Sequence, residues 1–166
     1  MRLTVYTDYT LRVMMFLAIK HRSGELSRID DIAQAYAISR SHLTKIVHEL
    51  GHSGLVVTVR GRSGGMQLAR PPEQITVGEI VRLAEKDFAV VACHDPDTLD
   101  ICTIQPACNL QRVLRRAMAA FMRELDGLTL AEAITAPAAA ASLLGLATEV
   151  PVAMPIKGSG RVKTPG

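Results

Sequence analysis

Apolar side chains recur along the first half of the chain at three- and four-residue steps, the period of a helix with one face turned to a core. After Thr7-Asp8, the residues Leu11, Met14, Met15 and Ala18 keep that step, and His21-Arg22-Ser23-Gly24 breaks it, which predicts a first helix. A second is expected behind Ser27, read as its N-cap with Asp30 three positions on, and Ile29, Ile32, Ala33 and Tyr36 line its face. After a tight turn at about Tyr36 to Ile38, Ser39 is placed to cap a third helix. Its inward face is Leu43, Ile46, Val47 and Leu50, and Gly54 marks its end. The pattern then changes. Leu55 to Val59 and Met66 to Leu68 are β-prone and flank Arg60-Gly61-Arg62-Ser63-Gly64-Gly65, a combination that predicts a hairpin. Thr76 with Glu79 forms a capping box for a helix from Val77 to about Glu85.

A long helix is expected from Leu110 to about Asp126, capped by Asn109, with Val113, Leu114, Ala117, Met118, Phe121 and Leu125 on one side. From about residue 136 the chain is rich in Ala, Pro and Gly with no aromatics, and a disordered tail is expected. There is no convincing internal repeat. The fold class that follows is mainly α with a small β-hairpin wing: a winged helix-turn-helix followed by a long dimerisation helix. The expected divisions are a DNA-binding domain at 1–86, a cysteine loop at 87–109, a dimerisation helix region at 110–135 and the tail at 136–166.

Composition sharpens this outline in two places. Hydrophobic residues make up 48% of the 166 positions but aromatics only 4%, with no Trp, so the core is built on aliphatic side chains. A net charge of +3 does not by itself imply nucleic acid. Its distribution says more: between Arg40 and Arg70 lie five basic residues (Arg40, Lys45, Arg60, Arg62, Arg70) against one acid, Glu49. In a winged helix-turn-helix the second helix enters the major groove, and its early side chains reach base edges. Those are Ser39, Arg40, Ser41, His42 and Lys45, while Arg60 and Arg62 at the hairpin tip would reach phosphates or the minor groove. Each phosphate neutralised steepens the salt dependence of binding by about 0.9 in log–log slope. The competing view is a plain helical core with a solvated charged face. The glycines of the hairpin follow no nucleotide-loop pattern, so an enzyme is not expected. The N-terminal MRLTVYTDYT lacks a signal-peptide core, and Val13 to Ile19 is too short to cross a bilayer, so a cytoplasmic protein without a membrane partner is expected.

The chemistry is concentrated in one place. The chain's three cysteines, Cys93, Cys102 and Cys108, fall within sixteen residues, interspersed with Asp95, Pro96, Asp97, Asp100 and Pro106. Pairing would leave one thiol over, and thiolates select zinc, copper(I) or iron–sulfur clusters. Cys108 stands near a helix N-terminus, where the macrodipole favours thiolate. Pro96 and Pro106 limit the freedom lost on gathering three ligands. A zinc site completed by Asp8, His94 or Asp95 stands beside the cluster reading, and a single cysteine alone is often a small buried apolar residue.

Taken as a set, Thr-Asp-Tyr-x-Leu-Arg at Thr7 to Arg12, the helix-turn-helix, Gly-Leu-Val-x-x-x-Arg-Gly-x-x-Gly-Gly at Gly54 to Gly65, and three cysteines before a long helix resemble the Rrf-type winged-helix iron–sulfur regulators over about residues 1–135. That resemblance implies a homodimer whose long helices pack together, a cluster on Cys93, Cys102 and Cys108, and palindromic operator DNA. Cys102-Thr103-Ile104-Gln105-Pro106-Ala107-Cys108 is similar to the nitric-oxide-sensing repressors of the family. For these, the resemblance implies a 4Fe–4S cluster in preference to 2Fe–2S, with the fourth iron held by the carboxylate matching Asp8, from the partner subunit. Cluster-biogenesis members carry a histidine where this chain has Gln111, which argues against that branch. Iron-responsive members are the second reading, and usually carry Asn at the position of Asp8.

Overall fold

A computed structural model describes residues 2–95 and 102–146. Within these residues the helix-rich pattern holds, and its order is α1 Val5–His21, α2 Ile29–Tyr36, α3 Arg40–His52, the hairpin strands β1 Val56–Val59 and β2 Gly65–Leu68, α4 Val77–Ala84, α5 Asn109–Asp126 and α6 Pro137–Leu143. No helix among them is long and apolar enough to cross a membrane.

α1 is the axis of the molecule, packing on α2, α3, α4, β2 and α6. It begins earlier than its apolar stripe suggests, because Thr4 is the N-cap and its hydroxyl accepts from the Thr7 N–H. Nor is it one-sided. Thr7, Thr10, Val13, Met14, Phe16, Leu17 and Ala18 are all buried, while Leu11 and Met15 of the expected face are half-buried. Around α1 close Ile32 of α2, Leu43, Ile46 and Leu50 of α3, Leu55, Met66 and Leu68 near or in the hairpin, and Ile75 and Ile80 of the α4 region. Each such side chain contributes about 1.5–3 kcal/mol by leaving water.

The turn between α2 and α3 places Ala37 in the left-handed region at φ 52°, followed by buried Ile38. α3 stops at His52, and Gly54 follows at φ 74°. β1 and β2 pair antiparallel from Val56 opposite Leu68 to Val59 opposite Gly65. Ser27 is not the α2 cap that its spacing suggested; Arg28 is, with its N–H donating to Asp31 Oδ2 at 2.8 Å. Ser27 instead bridges Met66 through two backbone hydrogen bonds of 2.9 and 2.8 Å, adding a third strand-like edge to the wing. That approach needs glycine at 65, since a Cβ there would lie 2.7 Å from the Ser27 carbonyl oxygen. Thr76 caps α4 by accepting from the Glu79 N–H, but the Glu79 carboxylate is held by Arg70 rather than turned back to the cap.

α5 begins one residue before the expected start, with Cys108 as N-cap and Asn109 as its first residue. Its far end is joined to α4: the Asp126 carboxylate takes both Arg82 guanidinium nitrogens, at 2.5 and 2.6 Å. The chain beyond α5 returns to α4, with the Val77 N–H on Leu128 and the Leu130 N–H on Ile75. The tail expected from residue 136 needs correction at its start. Pro137 opens α6 there, Ala141 is buried, and the helix packs on α1. Residues 147–166, the remainder of that expected tail, and Pro96, Asp97 and Asp100 of the cysteine loop lie outside the described residues.

Candidate metal centre and nucleic-acid interface

The helix-turn-helix presents its expected side chains outward. Leu43, Ile46, Val47 and Leu50 tie α3 to the core, which leaves Arg40, Ser41, His42, Thr44 and Lys45 exposed. Ser39 stands at the N-cap, yet its hydroxyl makes no cap bond; it reaches Ser41 Oγ at 3.2 Å and His42 Nδ1 at 3.0 Å. The His42 ring packs on Tyr9 of α1, centroids 5.9 Å apart, so it is more constrained than a free surface histidine. Arg40 is ion-paired with Asp30 of α2. Lys45 stands with its exposed neighbours on the outer face of the helix.

Arg60 and Arg62 are exposed on the turn between β1 and β2. Arg28 Nη2 donates to the Arg62 carbonyl at 3.1 Å, which pins the wing tip to the start of α2. With the Ser27–Met66 bridge, the wing is bonded at two places to the start of α2. Spacing along the chain does not reveal Arg28's part in this, because its partner lies 34 positions away.

The three cysteines are free and half-buried. Cys93 lies in the 3-10 turn Ala92–His94, Cys102 precedes the 3-10 turn Gln105–Ala107, and Cys108 caps α5. Backbone bonds fold the second turn: Gln105 N–H to the Cys102 carbonyl at 3.0 Å, Ala107 N–H to the Ile104 carbonyl at 3.0 Å, and Cys108 N–H to the Gln105 carbonyl at 3.1 Å. Gln111, one turn into α5, clasps the first turn. Its Nε2 donates to the Cys93 carbonyl at 2.9 Å, and its backbone carbonyl accepts from His94 Nε2 at 3.1 Å. Cys93 and Cys108 are thereby held at the same end of α5. Among the described residues, however, no three His, Cys, Asp or Glu side chains stand within reach of one metal ion.

Asp8, the fourth ligand that the resemblance implies, is exposed in the first turn of α1 and accepts from Arg12 Nε at 2.9 Å. That bond holds the Arg12 guanidinium above its ordinary pKa. Arg12 in turn lies over the Tyr36 ring, 5.7 Å from its centroid, and burial raises the Tyr36 phenol while Arg12 opposes the rise. Deeper in, Tyr6 donates to Glu49 of α3; burial first, and then that carboxylate, push its phenol well above the usual value. Two polar links thus run from the start of α1 into the helix-turn-helix.

The donor set suits an iron–sulfur cluster or another thiolate-bound metal. No thiol is spent in a disulfide, all three are partly shielded, and the turn that carries Cys93 is held by Gln111 next to Cys108 at the start of α5. His94 suits it less, since its Nε2 is engaged by Gln111.

A profile of the Rrf2 family, described as an iron-dependent transcriptional regulator, matches residues 3–136. The chain belongs to the Rrf2 family. Among Rrf2 relatives, the HTH-type transcriptional regulator NsrR of Bacillus subtilis is 48% identical over 134 residues, covering 81% of this chain and 90% of that protein. NsrR of Oceanobacillus iheyensis is 42% identical over 146 residues, covering 88% and 98%. Solved Rrf2-type structures agree in fold. CymR, the global cysteine regulator of B. subtilis, superposes with a TM-score of 0.62 at 27% identity, over 80% of this chain and 95% of CymR. T. potens IscR superposes with a TM-score of 0.63 at 27% identity, over 81% and 86%. This Rrf2 chain is a transcriptional regulator similar to NsrR and not an enzyme.

Proposed function

We propose that the chain is a homodimeric repressor that reads palindromic operator DNA and is gated by an iron–sulfur cluster sensitive to nitric oxide. The observation that carries this reading is the cysteine loop itself: three free, half-buried thiols leading directly into α5, a helix that buries none of its residues completely. Val113 and Leu110 on α5 remain 40% and 63% exposed, as a seam awaiting a second copy would be.

Cys93, Cys102 and Cys108 would hold the cluster as thiolates, with Asp8 of the partner subunit on the fourth iron of a 4Fe–4S form, favoured here over 2Fe–2S. Bound there, the cluster would supply iron able to take up nitric oxide. Asp8 would be the hardest and weakest of the four donors. While the thiolates are engaged, the turns at Cys93 and Cys108 are locked to the first turn of α5. Once they let go, the Gln111 bonds to Cys93 and His94 still hold the first turn. α5 then shifts against its mate and alters the separation of the two recognition helices, which must stand about 34 Å apart to meet successive major-groove faces. In the bound dimer, Ser39, Arg40, Ser41, His42 and Lys45 face the groove, and Arg60 and Arg62 reach the flanking backbone. The divisions at 1–86, 87–109 and 110–135 correspond to the reading, gating and pairing parts.

The test is anaerobic purification with iron and sulfide counts, then stepwise nitric oxide while following binding to DNA selected by the loaded protein from a random library. A coloured protein should bleach and release DNA, and Cys102→Ala should fold but neither hold iron nor bind that DNA tightly. Operator binding unchanged in Cys102→Ala would sink the gating. Release on mild chelation, with nitric oxide inert, would establish the iron-responsive alternative. A colourless zinc protein would leave a zinc-stabilised DNA-binding protein.

A further inference from the structure

The last turns of α3 carry His48-Glu49-Leu50-Gly51-His52. Two histidines four apart on a helix lie on one face, the spacing with which helices present a pair of imidazoles to zinc. Both are exposed here, with ring centroids 4.2 Å apart and planes inclined by 46°. His52 Nδ1 lies 2.9 Å from the His48 carbonyl oxygen. A carbonyl can only accept, so the hydrogen is on Nδ1 and the lone pair of Nε2 is left for a metal. Anchoring one ring nitrogen on a backbone carbonyl is how metal-binding histidines fix their tautomer. The pair also borders a cavity of about 850 Å³ between α3, the start of α1 and the end of α4, with Glu85 and Asp87 in its lining.

We propose that His48 and His52 form a site for a divalent transition-metal ion of the class imidazole selects (zinc, nickel or copper(II)), separate from the cysteine loop. Hydrolysis is not part of it. In zinc peptidases with this spacing the glutamate is a general base, whereas Glu49 here is engaged by the Tyr6 hydroxyl. Among the described residues no third His, Cys, Asp or Glu joins the pair to hold a metal, so water fills the remaining positions. The site shares the exposed face of α3 with Thr44 and Lys45.

The experiment uses the full chain with its thiols alkylated by N-ethylmaleimide, titrated with nickel(II) by calorimetry. One site is expected. His48→Gln and His52→Gln should each weaken it by roughly a hundredfold, the loss expected when a second ligand on the same scaffold is removed. Both positions are exposed, so helix content by circular dichroism should stay the same. His42→Gln and His94→Gln should leave the affinity unchanged. Absence of binding, or binding that follows His42 or His94 instead, would overturn the assignment. With no DNA and no iron in the cell, that failure is separate from failure of the repressor reading.

Discussion

α1 and α5 are nearly equal in length, 17 and 18 residues, yet they stand in opposite relations to the rest of the chain. α1 buries seven residues; α5 has none in the buried class, although its stripe of Val113, Leu114, Met118, Phe121 and Leu125 is as regular as any in the sequence. The region around α1 is finished by its own chain. The region around α5 is held at its two ends, by Gln111 on the Cys93 turn and by Arg82 on Asp126, and the stripe between them packs against α4 while staying only half-buried. A helix's periodicity therefore shows that it has an apolar side, and not whether the same chain covers it.

The sharpest way to break the comparison is to remove apolar volume from each helix. Phe16→Ala should cost about 3–5 kcal/mol, because Phe16 is fully buried and its cavity cannot collapse around a rigid axis. That loss should not depend on protein concentration. Val113→Ala should instead shift the thermal midpoint in a concentration-dependent way, as a seam between copies would. Equal, concentration-independent losses in the two variants would mean that α5 is ordinary core.

A smaller effect tests the joint between the two regions. A Cβ at Gly78 would lie 2.0 Å from Asp126 Oδ1 and 2.9 Å from the Asp126 backbone nitrogen. Gly78→Ala should therefore force α4 and α5 apart and cost about 1–3 kcal/mol in denaturant unfolding, the usual range for overpacking. No loss would show that the end of α5 is free to move aside.

The smallest effect belongs to the finished region alone. Burial pushes the Glu85 carboxyl up, but hydrogen bonds from the Thr4 N–H at 2.9 Å and the Thr7 hydroxyl at 2.7 Å outweigh it, and the net pKa is lowered. A lowered folded pKa means stability that is present above the ordinary carboxylate range and is lost as pH falls through the folded value. Wild type should therefore exceed Glu85→Gln near neutral pH, and the gap should close in acid. A gap that widens on acidification would contradict the bonding to Thr4 and Thr7.

Most of the helical fold is written in local spacing. The apolar steps placed α2 to α5 within a residue or two, and the basic hairpin emerged where glycine and arginine alternate. Errors came where a residue's partner is distant in sequence. Ser27 has the type and spacing of a cap but is taken by Met66, 39 positions on. Gln111 has no local sign of its role, although its side chain holds the Cys93 turn. Arg40's ion pair with Asp30 of α2 likewise has no local signature in the sequence. The start of the expected tail, with its run of alanines, carried no stripe strong enough to announce that α6 would settle on α1.

The sequence by itself determined the helices, the hairpin, the gathering of three cysteines into one loop and the family, because each is written in spacings of a few residues that local sterics and hydrogen bonding obey. The tertiary structure alone sets that α1 is covered on nearly every side, that the wing is bonded to the start of α2, that Gln111 ties the Cys93 turn to α5 and that the α5 stripe is only half covered. Those depend on which surfaces meet across tens of residues. Meeting is settled by packing and by satisfying buried polar groups over the whole chain at once, and no local period records it.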